Sequence, residues 1–132
     1  MAEKKENLGN VVLMLTTVGR TSRKPMVNLV QYQEIKGEYF IIAPRNSPAE
    51  WIRNVNSFPW VDVQVKGKKF RAVTEPVFEP NRIANHLESQ LAGHSSIVED
   101  LIRDHGLPRK PSRVQLEALS GRITLFVLHP EQ

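Results

Sequence analysis

Thr16-Thr17-Val18-Gly19-Arg20-Thr21-Ser22-Arg23-Lys24-Pro25 decides how this chain is read. The apolar run 11–15 precedes it, and a second extended segment, residues 27–33, follows. The stretch therefore reads as a strand–turn–strand unit whose turn, residues 20–25, carries three cations and two hydroxyls. Backbone N–H groups, hydroxyls and guanidinium forks gathered on one turn suit an anion. The plain alternative is a basic hairpin facing water.

Outward from this unit the chain keeps a β rhythm. Residues 11–17 are apolar enough to predict a strand buried on both faces. Residues 26–34 mix Val27, Leu29, Val30 and Tyr32 with polar side chains, as one longer half-exposed strand would. Lys36-Gly37 is a tight turn into Tyr39-Phe40-Ile41-Ile42-Ala43, which Pro44 stops. Ser47-Pro48 reads as an N-cap with proline at the first helical position, opening a short helix over 49–56 with Glu50 in its first turn. Trp51 and Val55 lie four apart and face inward. Val61, Val63 and Val65 then alternate with Asp62 and Gln64, and Lys66-Gly67-Lys68 turns the chain into a partner strand over 69–75.

After Pro76 the period changes. Ile83, Leu87 and Leu91 predict a helix that starts at Glu79-Pro80-Asn81 and ends at Gly93. A second helix is expected over 95–105, a short amphipathic piece over 113–119, and a last strand over 122–129. Five strands, late helices and a closing strand predict a mainly β, antiparallel barrel with helical cover. It is expected to be one domain, 1–132, with a flexible N-terminus at 1–8 and a helical insert at 95–119. No βαβ alternation and no glycine-rich strand–helix fingerprint supports a Rossmann sheet.

Composition removes several chemistries. The chain of 132 residues has no cysteine, so disulfides, thiolate metal sites and cysteine nucleophiles are excluded. No G-x-S-x-G occurs, and Glu34, Asp62, Glu75 and Glu79 show no paired pattern for acid–base hydrolysis. The four histidines, His86, His94, His105 and His129, are scattered without metal-ligand spacing; His86 and His105 read as surface residues, and no metal site is expected. The polar opening segment has no signal-peptide core and no run approaches a membrane span, so a cytoplasmic protein without an integral membrane segment is the expectation. A net charge of +4 permits an anionic partner without choosing one. Nucleic acid is disfavoured, because exposed strand aromatics for base stacking are sparse.

Cofactor or ligand binding remains. Arg20, Thr21, Ser22 and Lys24 form one candidate anion site. Arg45, Asn46 and Ser47 form a second, placed just before a helix N-terminus, where free N–H groups and the helix dipole favour phosphate. Trp51 packs in the core or flanks a ring system, and Asn54 follows it on the same helix.

These residues resemble a known family. Leu15-Thr16-Thr17-Val18-Gly19-Arg20-Thr21-Ser22 is similar to the LTTxGRxSG signature of the deazaflavin (F420)-dependent nitroreductases, members of the FMN-binding split β-barrel superfamily. Pro48-x-x-Trp51-Ile52-Arg53-Asn54-Val55, Pro59-x-Val61-x-Val63-Gln64-Val65 and Arg122-Ile123-Thr124-Leu125-Phe126-Val127-Leu128 resemble later motifs of that family in the same order. The resemblance implies a split β-barrel oxidoreductase that uses coenzyme F420 to pass hydride to a quinone, enone or nitroaromatic acceptor. Carried over, Arg20, Thr21, Ser22 and Lys24 would bind the cofactor's tail; Arg45, Asn46 and Ser47 would lie near the phosphate or ring edge, with Trp51 and Asn54 behind them. FMN on the same fold is the alternative cofactor, and a non-enzymatic anion-binding protein is the rival of another class. Flavin-binding relatives of the fold point to a homodimer. Two departures stand out: Arg23 occupies the signature's glycine, which predicts a turn without a left-handed residue there, and Met26 stands where the family has arginine.

Overall fold

The computed structural model describes residues 12–131; the stretch 1–8 expected to be flexible, and Val11, lie outside the described residues. The described chain up to Pro76, together with the residues from Leu125 onward, forms one compact unit, and Val77–Thr124 forms a second.

Seven antiparallel strands build one sheet: β1 Val12–Val18, β2 Pro25–Gln31, β3 Gln33–Ile35, β4 Glu38–Pro44, β5 Trp60–Val65, β6 Lys68–Val77 and β7 Ile123–Pro130. Their spatial order is β2-β1-β5-β6-β7-β4-β3. The two edge strands, β2 and β3, are thus separated in sequence by Tyr32 alone. A sheet whose edges are joined by one residue must curl on itself, and it gives the half-barrel of a split-barrel fold. The expectation of one long strand over 26–34 is corrected here: the chain leaves β2 at Gln31 and re-enters on the opposite edge at Gln33. Both predicted hairpins form with positive φ at each central residue, Lys36 and Gly37 (50° and 82°) and Lys66 and Gly67 (51° and 75°), so their twist matches that of the flanking strands.

β1 is not buried on both faces. Leu13, Leu15 and Thr17 point into the core, while Met14 and Val18 are exposed. Its partners β2 and β5 lie beside it in the sheet, so alternate side chains leave the packed face whatever their polarity. Leu29 pairs with Met14 and Val27 with Thr16, which makes this outer face apolar.

Inside the barrel, Trp51 meets Phe126 edge-on with ring centroids 5.2 Å apart, and Tyr39 lies between Tyr32 and Phe70. Helix α1, Glu50–Ser57, supplies Trp51, Ile52, Asn54 and Val55 to this core. It starts later than Ser47-Pro48 suggests. The Ser47 N–H bonds the Pro44 carbonyl at 3.2 Å, and its hydroxyl accepts from the Ala49 N–H at 3.2 Å. Ser47 therefore closes a turn before the helix, and Ala49 is the true N-cap, without a side-chain cap.

The second unit holds α2 Pro80–Ala92, α3 Ser96–Asp104, α4 Arg113–Ala118 and a 3-10 turn, Leu119–Gly121. Ser95 caps α3 by accepting from the Val98 N–H, and Ser112 with Gln115 forms a capping box on α4. Arg113 ties α4 to α2 by donating to Asn81, Asn85 and Glu88, and it also bonds Glu117. His86 is not a surface residue. It falls three positions after Ile83 and so shares the buried stripe of Ile83, Ala84 and Leu87. Burial pushes its imidazole down to about 4.

Candidate functional site

The turn between β1 and β2 is closed by its own backbone. The Gly19 N–H donates to the Lys24 carbonyl at 2.8 Å, and the Arg23 N–H donates to the Gly19 carbonyl at 2.9 Å. The Lys24 N–H reaches the Ser22 hydroxyl at 3.2 Å. Gly19 is required by close approach: a Cβ there would overlap Ser22 Oγ and lie 3.1 Å from the Lys24 carbonyl oxygen.

Arg23 adopts a φ of 63°, so the turn does contain a left-handed residue and the arginine itself supplies it. That conformation costs a side chain roughly 1–2 kcal/mol. Its guanidinium lies 4.7 Å from the centre of the Phe58 ring, a cation–π contact worth about 0.5–1 kcal/mol at an exposed site, which with the turn's hydrogen bonds offsets most of the strain.

Asn54 anchors the turn to α1. It is fully buried. Its Oδ1 accepts from the Arg20 backbone N–H at 3.1 Å and from the Arg20 guanidinium at 3.0 Å. Its Nδ2 donates to Thr17 Oγ1 at 3.0 Å and contacts Met26 Sδ at 3.3 Å. Met26, in the family's arginine position, is thus an acceptor turned toward the asparagine. The Arg20 guanidinium also forms a two-point pair with Glu50, at 2.8 and 3.3 Å. This pair holds the Glu50 carboxyl below its ordinary range and the guanidinium above its own, the hydrogen bond being the main cause in each case.

Of the nine residues singled out in the sequence, Arg20 and Asn54 are in direct contact. Thr21, Ser22 and Lys24 form the exposed tip of the same turn. The backbone N–H groups of Thr21 and Ser22, the Thr21 hydroxyl and the Lys24 ammonium have no partner among the described residues. Arg45, Asn46 and Ser47 form the turn that leads from β4 into α1, with Asn46 left-handed at a φ of 59°. They connect to the first turn through α1, since Glu50 and Asn54 both hold Arg20. Trp51 lies in the core, 7% exposed, with its indole against Phe126 rather than at the surface.

Two participants escape sequence reading. Glu50 looked like an ordinary first-turn acid, and only the fold brings it 30 positions along the chain to Arg20. Asn28, on β2 opposite Leu15, has a buried Oδ1 with no hydrogen-bond partner among the described residues. A buried acceptor left unpaired costs about 1–3 kcal/mol, so it marks a position suited to an incoming donor. On the outer face of β1, β5 and β6 a shallow cavity of about 430 Å³ is lined by Met14, Thr16, Asp62, Gln64, Phe70 and Arg71. Among the described residues no group of three or more His, Asp or Glu side chains is arranged to hold a metal, and no helix is long and apolar enough to cross a membrane.

Solved structures share this fold. An F420-H2 dependent reductase superposes with a TM-score of 0.55 at 19% identity, over 89% of this chain and 93% of that one. A putative pyridoxamine 5'-phosphate oxidase from Listeria innocua gives 0.61 at 13% identity, over 98% and 93%. A chain described as a domain-swapped dimer gives 0.60 at 17% identity, over 97% and 95%. No curated protein matches the sequence. The family comparison carries more, because it covers the β1–β2 turn, the turn before α1 and α1 together: residues 3–95 match the F420H(2)-dependent quinone reductases. The chain belongs to that family, and it is an oxidoreductase that works with coenzyme F420.

Proposed function

We propose that the tip of the β1–β2 turn holds the anionic tail of F420, and that the protein passes hydride to a quinone-, enone- or nitroaromatic-type acceptor. One observation carries the assignment. Among the described residues, the Thr21 and Ser22 N–H groups, the Thr21 hydroxyl and the Lys24 ammonium have no partner on the one turn, while Asn28 on β2 keeps a buried oxygen without a partner there. The donors fit carboxylate or phosphate oxygens, and Asn28 Oδ1 fits an N–H or O–H of the same ligand.

In this reading Arg20 fixes the turn through Asn54 and keeps further N–H donors for the tail. Ser22 accepts from the Lys24 N–H and so sets the path of the chain under the ligand. Arg45, Asn46 and Ser47, on the turn before α1, line the phosphate or ring edge. Asn54 and Trp51 stand behind, the first holding the turn and the second filling the core beneath α1. When bound, reduced F420 supplies the hydride; the protein supplies orientation and charge. The cavity of about 430 Å³ beside β1 is within the size range of small-molecule sites, and the exposed apolar side chain of Met14 in its lining suits a planar acceptor. A cytoplasmic location and pairing into a homodimer complete the proposal; the apolar outer face of β1 and β2 supports the pairing.

Titration of the protein with F420, followed by fluorescence polarisation, tests the site. Saturable binding that weakens with salt and falls about tenfold in Lys24→Ala is expected. Binding unaffected by Lys24→Ala and by Thr21→Ala would refute the assignment of the turn.

A further inference from the structure

The edge of the Arg20 guanidinium formed by its two terminal nitrogens, which an incoming anion would meet, is already taken. Glu50 Oε1 and Oε2 take two of its N–H donors at 2.8 and 3.3 Å. Resting on the tail-site reading above, we propose that Glu50 is an internal competitor for Arg20: a carboxylate- or phosphate-bearing tail engages the guanidinium by exchanging with the Glu50 carboxylate. Glu50 thereby sets how strongly anionic a ligand must be to be held.

Three features of the structure make the exchange inexpensive. First, the pair is open to water, with Arg20 25% and Glu50 49% exposed at the side chain, and an exposed ion pair contributes little net stability. Second, Arg20 does not depend on Glu50 for its position. Asn54 Oδ1 holds both its backbone N–H and one guanidinium nitrogen from within the core, so the fork stays aimed when Glu50 leaves. Third, the displaced carboxylate keeps a favourable place. Glu50 is in the first turn of α1, whose N-cap, Ala49, offers no side-chain acceptor to the free N–H groups there. Arg53, three residues on, already contributes to stabilising its charge. A weak neutral ligand gains nothing from the fork, whereas a tail with several carboxylates replaces one charge-assisted contact by another and adds Lys24.

The test compares wild type, Glu50→Gln and Glu50→Asp by fluorescence polarisation with two ligands: F420 with its glutamate tail, and the deazaflavin riboside that lacks phosphate and tail. Exchange predicts that Glu50→Gln binds the tailed ligand about two- to fivefold more tightly, with steeper salt dependence, that Glu50→Asp returns toward wild type, and that the riboside is unaffected. Unchanged or weaker binding of the tailed ligand by folded Glu50→Gln would make Glu50 a strut and overturn the proposal. If neither protein binds the tailed ligand, the tail-site reading fails by itself. The Arg20 side-chain Nε–H NMR signal is then followed against inorganic phosphate. A shift at lower phosphate concentration in Glu50→Gln than in wild type supports competition by Glu50, and equal responses overturn it.

Discussion

Replacing His86 with leucine should remove a proton-linked loss of stability that the wild-type protein suffers below neutral pH. The imidazole is 6% exposed and burial lowers it from 6.5 to about 4. In the unfolded chain it titrates near 6.5. As pH falls from 7 through this window the unfolded state takes up a proton that the folded state refuses, so stability present above pH 6.5 is progressively lost. The difference in proton binding amounts to about 2 kcal/mol between pH 7 and pH 5, and about 3 kcal/mol by pH 4. Urea unfolding of both proteins at pH 7, 6 and 5, followed by far-UV circular dichroism, measures it. The wild type should lose about 2 kcal/mol more than His86→Leu between pH 7 and pH 5. Leucine can change stability at pH 7 through packing or a lost hydrogen bond, but it cannot titrate, so the pH slope isolates the histidine. Parallel slopes for the two proteins would refute the reasoning and show that His86 ionises inside the fold.

His129 should act in the opposite direction. Glu75 and then Glu38 bond its two ring nitrogens, each at 2.8 Å, and raise its titration above the ordinary value. Its contribution is complete below pH 6.5 and fades as pH rises through the raised value, so His129→Gln should cost more stability at pH 6 than at pH 9 in the same unfolding assay. Asn54→Ala should cost about 2–3 kcal/mol, because it leaves Thr17 and the Arg20 N–H short of partners in a buried setting, and it should weaken F420 binding as the turn loosens. Gly19→Ala should weaken F420 binding severalfold, since the turn must shift away from the new Cβ; unchanged affinity would argue against a rigid turn. Arg23→Gly should leave urea stability within about 1 kcal/mol, relief of the left-handed strain being balanced by the lost Phe58 contact and by glycine's greater unfolded freedom.

Much of the barrel was legible locally. Lys36-Gly37 and Lys66-Gly67 announce hairpins because only certain residues accept two successive positive φ values. The alternation at Val61, Val63 and Val65 records one buried face directly. Residues 11–15 misled because apolar content does not say which side of a strand is covered; Met14 is exposed as an apolar residue on an outer sheet face. Residues 26–34 misled for a related reason. Nothing within that window encodes that Gln33 joins β4 while Gln31 joins β1, since the curl is set by the sheet's closure. His86 follows Ile83 by three positions, a spacing that by helix geometry alone puts it on the buried stripe.

The candidate site divides in the same way. The sequence by itself determined the anion-friendly turn, the glycine at 19, the helix carrying Trp51 and Asn54, and the family to which these collinear pieces belong, because each rests on short-range geometry or on residue identity. Only the tertiary structure decided that Asn54 serves as the buried bracket of the turn, that Arg23 takes the glycine conformation under Phe58, and that Glu50 already occupies the Arg20 fork. Those contacts join residues about 30 positions apart, and no local pattern records which of several acids and cations will meet once the sheet has curled.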